Sequence, residues 1–384
     1  MKLDVNTPAR PKGLLGCGSR PFVHALLGLP FDLLTVPQAC EQIRKAIAGR
    51  KPLFLTTPNV NFVAACVNNP EFRDSVIDSH CVVVDGMPLV WLGRWLGLPV
   101  PERVAGSSVF ERLQKTPPRA GQAPIRVYFF GGGAEVARLA AERINADPVG
   151  MVCVGYTAPG FGTIESMSTP EMLEDINATR ADFLVVALGA AKGQAWIQHN
   201  RGRLNAPVIS HLGAVVNFSS RKIRRAPPGW QRFGMEWLWR IKEEPFLWRR
   251  YAMDAAILLR LIVTGVLPAM WHRLTHPQVS RRVGSASIKV EMAGEWAVLH
   301  LSGLWNQHAL TKWEDVWYEL APDLTHLTLN LSQVTAVDSA FLGRLLQLLH
   351  TRRALGLDLQ LHGASHSVRR QMRHYGVEYL LTKP

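Results

Sequence analysis

Between residues 53 and 211, short apolar runs alternate with stretches of helical period. Residues 53–56 precede a helix from Asn59, 81–84 a helix from Pro88, 126–130 a helix from Ala134, and 183–187 a helix near Gln194; a further run covers 207–210. Short strands recurring with amphipathic helices between them predict βαβ units, an α/β fold with a Rossmann-like, mainly parallel sheet. Ligands of such sheets bind outside the carboxyl ends of the strands. The polar residues of this half gather at those ends: 57–59, Asp85 and Gly86, 131–133, 189–192 and 211–213.

Beyond Gly284 the rhythm changes. Two alternating strands, 287–292 and 296–301, meet at an Ala293-Gly294 turn; a helix, a strand at 327–331, a helix from Ser339, a strand at 357–361 and a last helix follow. This is a compact α/β module of its own, tied on by the polar, Gly-containing segment 280–287. The expected divisions are a disordered tail at 1–20, an α/β domain at 21–218, a basic aromatic appendage at 219–282 and a small α/β domain at 285–384. There is no secretory signal pattern and no internal repeat.

Charge singles out the appendage. The chain carries 43 Lys and Arg against 30 Asp and Glu, and residues 219–282 hold nine of the thirteen surplus positive charges. The same stretch contains Trp230, Trp237, Trp239, Trp248 and Trp271. Indoles beside cations suit the headgroup layer of an anionic bilayer. The apolar run 252–271 is interrupted by Asp254 and Arg260 and contains Pro268, so a helix lying on or dipping into the membrane surface is expected rather than a span. The alternative is a solvated basic helix face. No helix-turn-helix, zinc-finger or RNP-like signature accompanies the charge, so nucleic acid is not expected as a partner. Five cysteines without CxxC spacing indicate neither a disulfide framework nor a zinc site, and fit a reducing compartment.

Several loops carry candidate chemistry. Gly131-Gly132-Gly133, between a strand and a helix, offers bare amides to a phosphate, or simply makes a tight turn. A dinucleotide site is the weaker reading, because Val136 replaces the last glycine of GxGxxG and no ribose-binding acid follows the next strand. Asp85 ends an apolar strand, where a carboxylate gains proton affinity and suits a general base; an Asp-Gly turn or a cap is the plain alternative. Thr57 positions a substrate hydroxyl or phosphate, or caps a helix. His211 reads as a hydrogen-bonded core histidine. No metal-ligand spacing is present, and no cofactor or metal is expected.

In order, Thr57-Pro58-Asn59, Asp85-Gly86-Met87-Pro88-Leu89-Val90 and Pro101-Glu102-Arg103-Val104-Ala105-Gly106 resemble the WecG/TagA/CpsF family of bacterial glycosyltransferases, family 26. Phe129-Phe130-Gly131-Gly132, Pro159-Gly160-Phe161, Leu188-Gly189 and the tail motifs Arg224-Arg225-Ala226-Pro227, Glu236-Trp237, Arg240, Glu244-Pro245 and Arg249-Arg250-Tyr251 extend the match over residues 25–255. The chain departs from the family at the loop 189–194, at Asn61, at Ser108 and at Asn217.

The resemblance implies inverting, metal-independent transfer of an N-acetylmannosamine-type or related sugar. The donor is a UDP-sugar and the acceptor is linked to a polyprenyl diphosphate, at the cytoplasmic face of the inner membrane, in surface polysaccharide assembly. It implies Asp85 as general base with Thr57 beside it, and donor contacts from Asn59, Gly131, Gly132, Gly189, Lys192, Gln194 and Asn217. Arg103, Arg225, Arg240 and Arg249 are implied to meet the diphosphates. Family members can form homo-oligomers.

The last hundred residues resemble a STAS domain: strand 329–331, the loop 334–339 and the helix 341–349 match its strand, Asp-Ser loop and helix. Regulatory members are phosphorylated at a Ser or Thr directly after the Asp-Ser pair. Here Ala340 stands there, which disfavours a phosphorylation switch; Ser339 stays as the candidate regulatory residue, a docking or nucleotide-sensing role is open, and a protein partner is the implied ligand. Removing residues 285–384 is expected to spare the chemistry. The alternative to an enzyme is a degenerate transferase serving as a membrane scaffold that recruits partners through this domain.

Overall fold

The computed structural model describes residues 23–213, 215–216, 227, 229–230, 234–275, 286–313 and 325–381. The expected tail 1–20, Asn217 and Arg225 lie outside the described residues.

The chain opens with an antiparallel hairpin, β1 (Val23–Leu26) and β2 (Leu29–Asp32). Its two-residue turn holds Leu27 at φ 51° and Gly28 at φ 87°, the left-handed geometry whose twist suits adjacent strands. Six strands then build the main sheet: β3 (Leu53–Thr56), β4 (Cys81–Val82), β5 (Ile125–Gly131), β6 (Met151–Thr157), β7 (Phe183–Ala187) and β8 (Val208–His211). Their order is β4-β3-β8-β7-β5-β6, and every neighbouring pair is parallel. The helices between them are α1 (Val36–Ala48), α2 (Val60–Asn68), α3 (Pro70–Ile77), α4 (Met87–Trp95), α5 (Gly106–Lys115), α6 (Ala134–Ala146), α7 (Pro170–Ala178) and α8 (Ala190–Asn200). Alternate strand residues enter opposite layers: Val127, Phe129 and Val185 face one core, while Tyr128, Phe130 and Val186 face another. Both faces are covered, so the strands read as continuous apolar runs.

The β4 strand is shorter than the expected 81–84. Only Cys81 and Val82 pair with β3; beyond them Asp32 takes over, bridging to Val83 and accepting the Val82 N–H at 2.7 Å. The hairpin thus closes the sheet edge that leads to Asp85.

After the main sheet come α9 (Glu236–Glu243), α10 (Trp248–Leu261) and α11 (Leu267–Thr275). A π turn, Ile262–Val266, joins the last two. The wide turn lies just ahead of Pro268, which has no N–H for the carbonyl of Thr264. The continuous run Pro245–Thr275 spans 31 residues with mean hydropathy 1.7 in its most apolar window, of which 17% is buried, so by length and composition alone it is able to cross a bilayer. Its inner side is nonetheless packed on protein: Leu258, Leu261, Val266 and Ala269 join the core beneath β2 and α4.

The second domain contains β9 (Ser287–Ala293), β10 (Trp296–Trp305), β11 (His326–Val337), α12 (Ser339–Ala354), β12 (Asp358–His362) and α13 (His366–His374). Sheet order is β12-β11-β10-β9, parallel except for the β9/β10 hairpin. That hairpin turns at Gly294 and Glu295, one residue later than expected. Asp338 caps α12 by accepting the Phe341 N–H at 2.9 Å.

The two domains share an extensive contact. All four β1 residues are buried, and Gly343 of α12 lies so close to the Val23 carbonyl that a Cβ there would sit 2.6 Å from its oxygen. Gly28 donates to the Tyr375 carbonyl at 2.7 Å and accepts from the Tyr379 hydroxyl at 2.8 Å. Arg353 of α12 pairs with Asp74 of α3 at 3.2 Å, and the His350 ring meets His80 edge-on.

Candidate functional site

The carboxyl ends of β3, β4, β5, β7 and β8 point to one edge of the sheet. Thr57 follows β3 and is buried. A Cβ on Gly106, the first residue of α5, would lie 3.4 Å from its hydroxyl and 2.3 Å from Leu212; only glycine lets these three segments meet. Asn59, not Thr57, is the N-cap of α2, accepting the Phe62 N–H at 3.2 Å. Asp85 is half-buried beyond the fully buried 82–84, and its N–H is bonded to the Pro58 carbonyl at 3.0 Å. This bond ties the Thr57 and Asp85 loops together. Gly86 starts α4 at φ 102°, a conformation that L side chains rarely adopt.

The appendage lies on this side of the sheet. Arg103 donates to both carboxylate oxygens of Glu236, at 2.6 and 3.1 Å. Burial disfavours the Arg103 cation, but the Glu236 hydrogen bonds and the negative charges of Asp85 and Glu236 outweigh it and raise the guanidinium pKa. Gly234 rests on the first turn of α4, where a Cβ would come 2.5 Å from that of Met87. Arg240 is one helical turn beyond Glu236 and shares its face of α9. It sits 3.6 Å from Glu244, and its Nε is buried with no hydrogen-bond partner among the described residues. Arg249 is exposed at the start of α10, its guanidinium 5.6 Å from the Trp248 ring. One link escaped sequence reasoning: Asp254, the one buried residue of α10, accepts from Asn61 of α2 at 3.1 and 3.3 Å.

Across the cleft, Gly131 is buried at φ 99°, and a Cβ there would strike the Ala187 backbone at 2.9 Å. Its place is fixed by the meeting of β5 and β7. Gly132 is exposed and faces Val216, while Gly189, also exposed, begins α8. Lys192 binds the Gly162 carbonyl at 2.7 Å, anchoring the loop that carries the fully exposed Phe161. Gln194 has no exposed surface; its amide donates to Thr56 at 3.1 Å, and Thr56 meets Ser79 at 2.7 Å. Gln194 therefore braces the β3 end from below and does not line the cleft. His211 is held neutral by burial and donates Nε2–H to the Leu188 carbonyl at 2.5 Å, the core role expected of it.

Of the eight helices α1 to α8 around the main sheet, four, α4, α5, α6 and α8, begin at Gly86, Ala105, Gly133 and Gly189 without a side-chain cap. By contrast α1, α2, α3 and α7 are capped by Thr35, Asn59, Asn69 and Thr169. Uncapped N-termini carry free N–H groups and partial positive charge, which together hold anions. Among the described residues, no three His, Cys, Asp or Glu side chains are grouped to hold a metal ion.

Ser339, the candidate regulatory residue, is buried at the start of α12 with its hydroxyl 2.9 Å from His24 Nδ1.

A family model described as "Glycosyl transferase WecG/TagA/CpsF family" matches residues 24–270, and one described as "Mlab, STAS domain" matches 288–382. The chain is similar to the N-acetylglucosaminyldiphosphoundecaprenol N-acetyl-beta-D-mannosaminyltransferase of Bacillus spizizenii, 28% identical over 200 residues, 52% of this chain and 75% of that one. The protein of the same name from Bacillus subtilis is 23% identical over 196 residues, 51% of this chain and 73% of that one.

Proposed function

The chain belongs to the WecG/TagA/CpsF glycosyl transferase family and carries a STAS domain, and from that premise we propose that it moves an N-acetylmannosamine-type sugar from a UDP-sugar to an acceptor on a polyprenyl diphosphate at a membrane surface. The names of the two Bacillus relatives support the sugar and the lipid-linked acceptor. The observation that carries the reading is the two-point pair of Arg103 with Glu236: Arg103 also feels the charge of Asp85, so the pair ties the appendage to the loop that bears the carboxylate.

In this mechanism the acceptor hydroxyl oxygen attacks the anomeric carbon and its proton passes to the Asp85 carboxylate. The bond from that carbon to the diphosphate oxygen breaks on the opposite face, giving inversion, and UDP departs with the electron pair. Thr57 orients the acceptor hydroxyl. The amides of α6 and α8 and the guanidinium of Arg240 hold the departing charge without a metal; Arg240 brings a buried Nε donor that lacks a hydrogen-bond partner among the described residues. Lys192 and Gln194 keep the loops in place around the donor. The basic, Trp-bearing appendage sets the cleft against the anionic bilayer, where the acceptor resides.

The test is Asp85→Asn in full-length protein supplied with vesicles carrying the lipid-linked acceptor and a panel of UDP-sugars. Product formation should fall about 10²–10⁴-fold while the melting temperature is unchanged. Transfer at the wild-type rate would remove Asp85 from the mechanism. Absence of turnover by wild-type protein with any UDP-sugar would favour the scaffold reading.

A further inference from the structure

A groove of about 710 Å³ lies far along the helical rod from the cleft, between α11 and α13 of the STAS domain. It begins where the rod touches that domain: Gly265 backs onto the His374 carbonyl so closely that a Cβ would lie 3.2 Å from its oxygen. Beyond this contact one wall is formed by Leu267, Trp271 and Leu274, and the other by Arg370 and His374. Burial and the neighbouring His272, Arg370 and Arg373 depress the His374 pKa to about 4, so that wall is uncharged at neutral pH except for Arg370.

We propose that this groove takes one hydrocarbon chain of an anionic bilayer phospholipid, with the headgroup phosphate held by Arg370. The volume falls within the roughly 300–1,000 Å³ of sites that enclose small ligands. Both walls are helices and offer no strand edge along which an extended peptide could pair, whereas a lipid chain needs no such partners. Charge agrees with an anionic headgroup, since Arg370 is the only Lys, Arg, Asp or Glu among the lining residues.

The groove is also continuous with a surface suited to a bilayer. Met253, Leu259 and Val263 are more than half exposed along the rod, and they lead to Trp271 and Leu274, at 71% and 75% exposure. A chain can leave the membrane along this stripe without crossing water. The inference rests on the membrane reading above and extends it: bilayer lipid becomes a bridge between the transferase rod and the STAS domain.

The test uses full-length protein on vesicles of phosphatidylcholine with about one-third phosphatidylglycerol, the latter bearing a photoreactive group in its acyl chain. Vesicle co-sedimentation reports surface binding, and mass-spectrometric mapping reports where the chain lies. Adducts are expected both on the 245–275 segment and on the 366–374 segment of the STAS domain. In Arg370→Glu the 366–374 adducts should fall about tenfold while co-sedimentation and sugar transfer persist. Adducts confined to 245–275, or unaltered adducts in Arg370→Glu, would overturn the groove and leave the membrane reading intact. Failure to co-sediment would overturn both.

Discussion

His24 Nδ1 lies 2.9 Å from the hydroxyl of Ser339, in a buried contact between the first strand of the transferase domain and the first helix turn of the STAS domain. The residue that sequence reasoning offered for regulation is therefore engaged within its own chain. A phosphate there would have to be accommodated between β1 and α12, which requires the two domains to part.

Acid should loosen this contact. Burial depresses the His24 pKa to about 4, and His374, beside Gly265, is also held at about 4. Both rings are neutral in the folded chain at pH 7 and bind protons more readily once unfolded. Their contribution is complete above about pH 6.5 and is lost as pH falls towards 4, by up to about 3 kcal/mol for each ring. We expect the melting temperature to drop between pH 7.5 and pH 5, and His24→Asn, which keeps a polar partner for Ser339 without titrating, to flatten that drop. An identical pH dependence in the variant would place the sensitivity elsewhere.

Deleting residues 285–384 should damage the transferase, contrary to the expectation from the linker. The deletion uncovers β1 and the apolar side of the hairpin whose Asp32 holds Val82, three residues before Asp85. Measured against the full chain, the truncated protein should aggregate or lose most sugar transfer. Full activity in a soluble truncated form would show that the hairpin stands without its cover.

Glu236→Gln should loosen the appendage without touching the reacting atoms. The two-point ion pair with the Arg103 cation becomes a single hydrogen bond to a neutral amide. The expected result is an acceptor KM raised roughly tenfold with a smaller change in kcat, and faster proteolysis between residues 236 and 245. Equal loss in kcat and kcat/KM would mean instead that Glu236 acts only in the transition state.

Asp254→Ala should destabilise the chain by about 1–3 kcal/mol, because the Asn61 amide loses its carboxylate partner in a buried setting. Replacing both residues with apolar ones of similar size should recover much of that loss, as read by denaturant unfolding.

The parallel sheet and the STAS module were legible because their strands carry unbroken or alternating apolar runs bounded by turn residues; β7 and β12 fall within a residue of expectation. The β1–β2 hairpin was not legible. Residues 23–34 are almost uniformly apolar, with no alternation, since one side is buried by the transferase core and the other by α12. Asp85, Thr57 and Arg103 were singled out through their loop positions and motif order, and the structure brings their segments together. The downward orientation of Gln194 and the Asn61–Asp254 bond depend on packing between segments distant in sequence, which no local pattern encodes.

The hairpin also makes folding wait for synthesis. Ser339 reaches His24 across 315 positions and Tyr379 reaches Gly28 across 351. The amino-terminal half emerges from the ribosome first, and such distant closures are slow. Until α12 and α13 have been made, a newly born chain displays an uncovered greasy ribbon that chaperones and proteases can recognise. Copies whose synthesis has passed both helices bury that ribbon against α12.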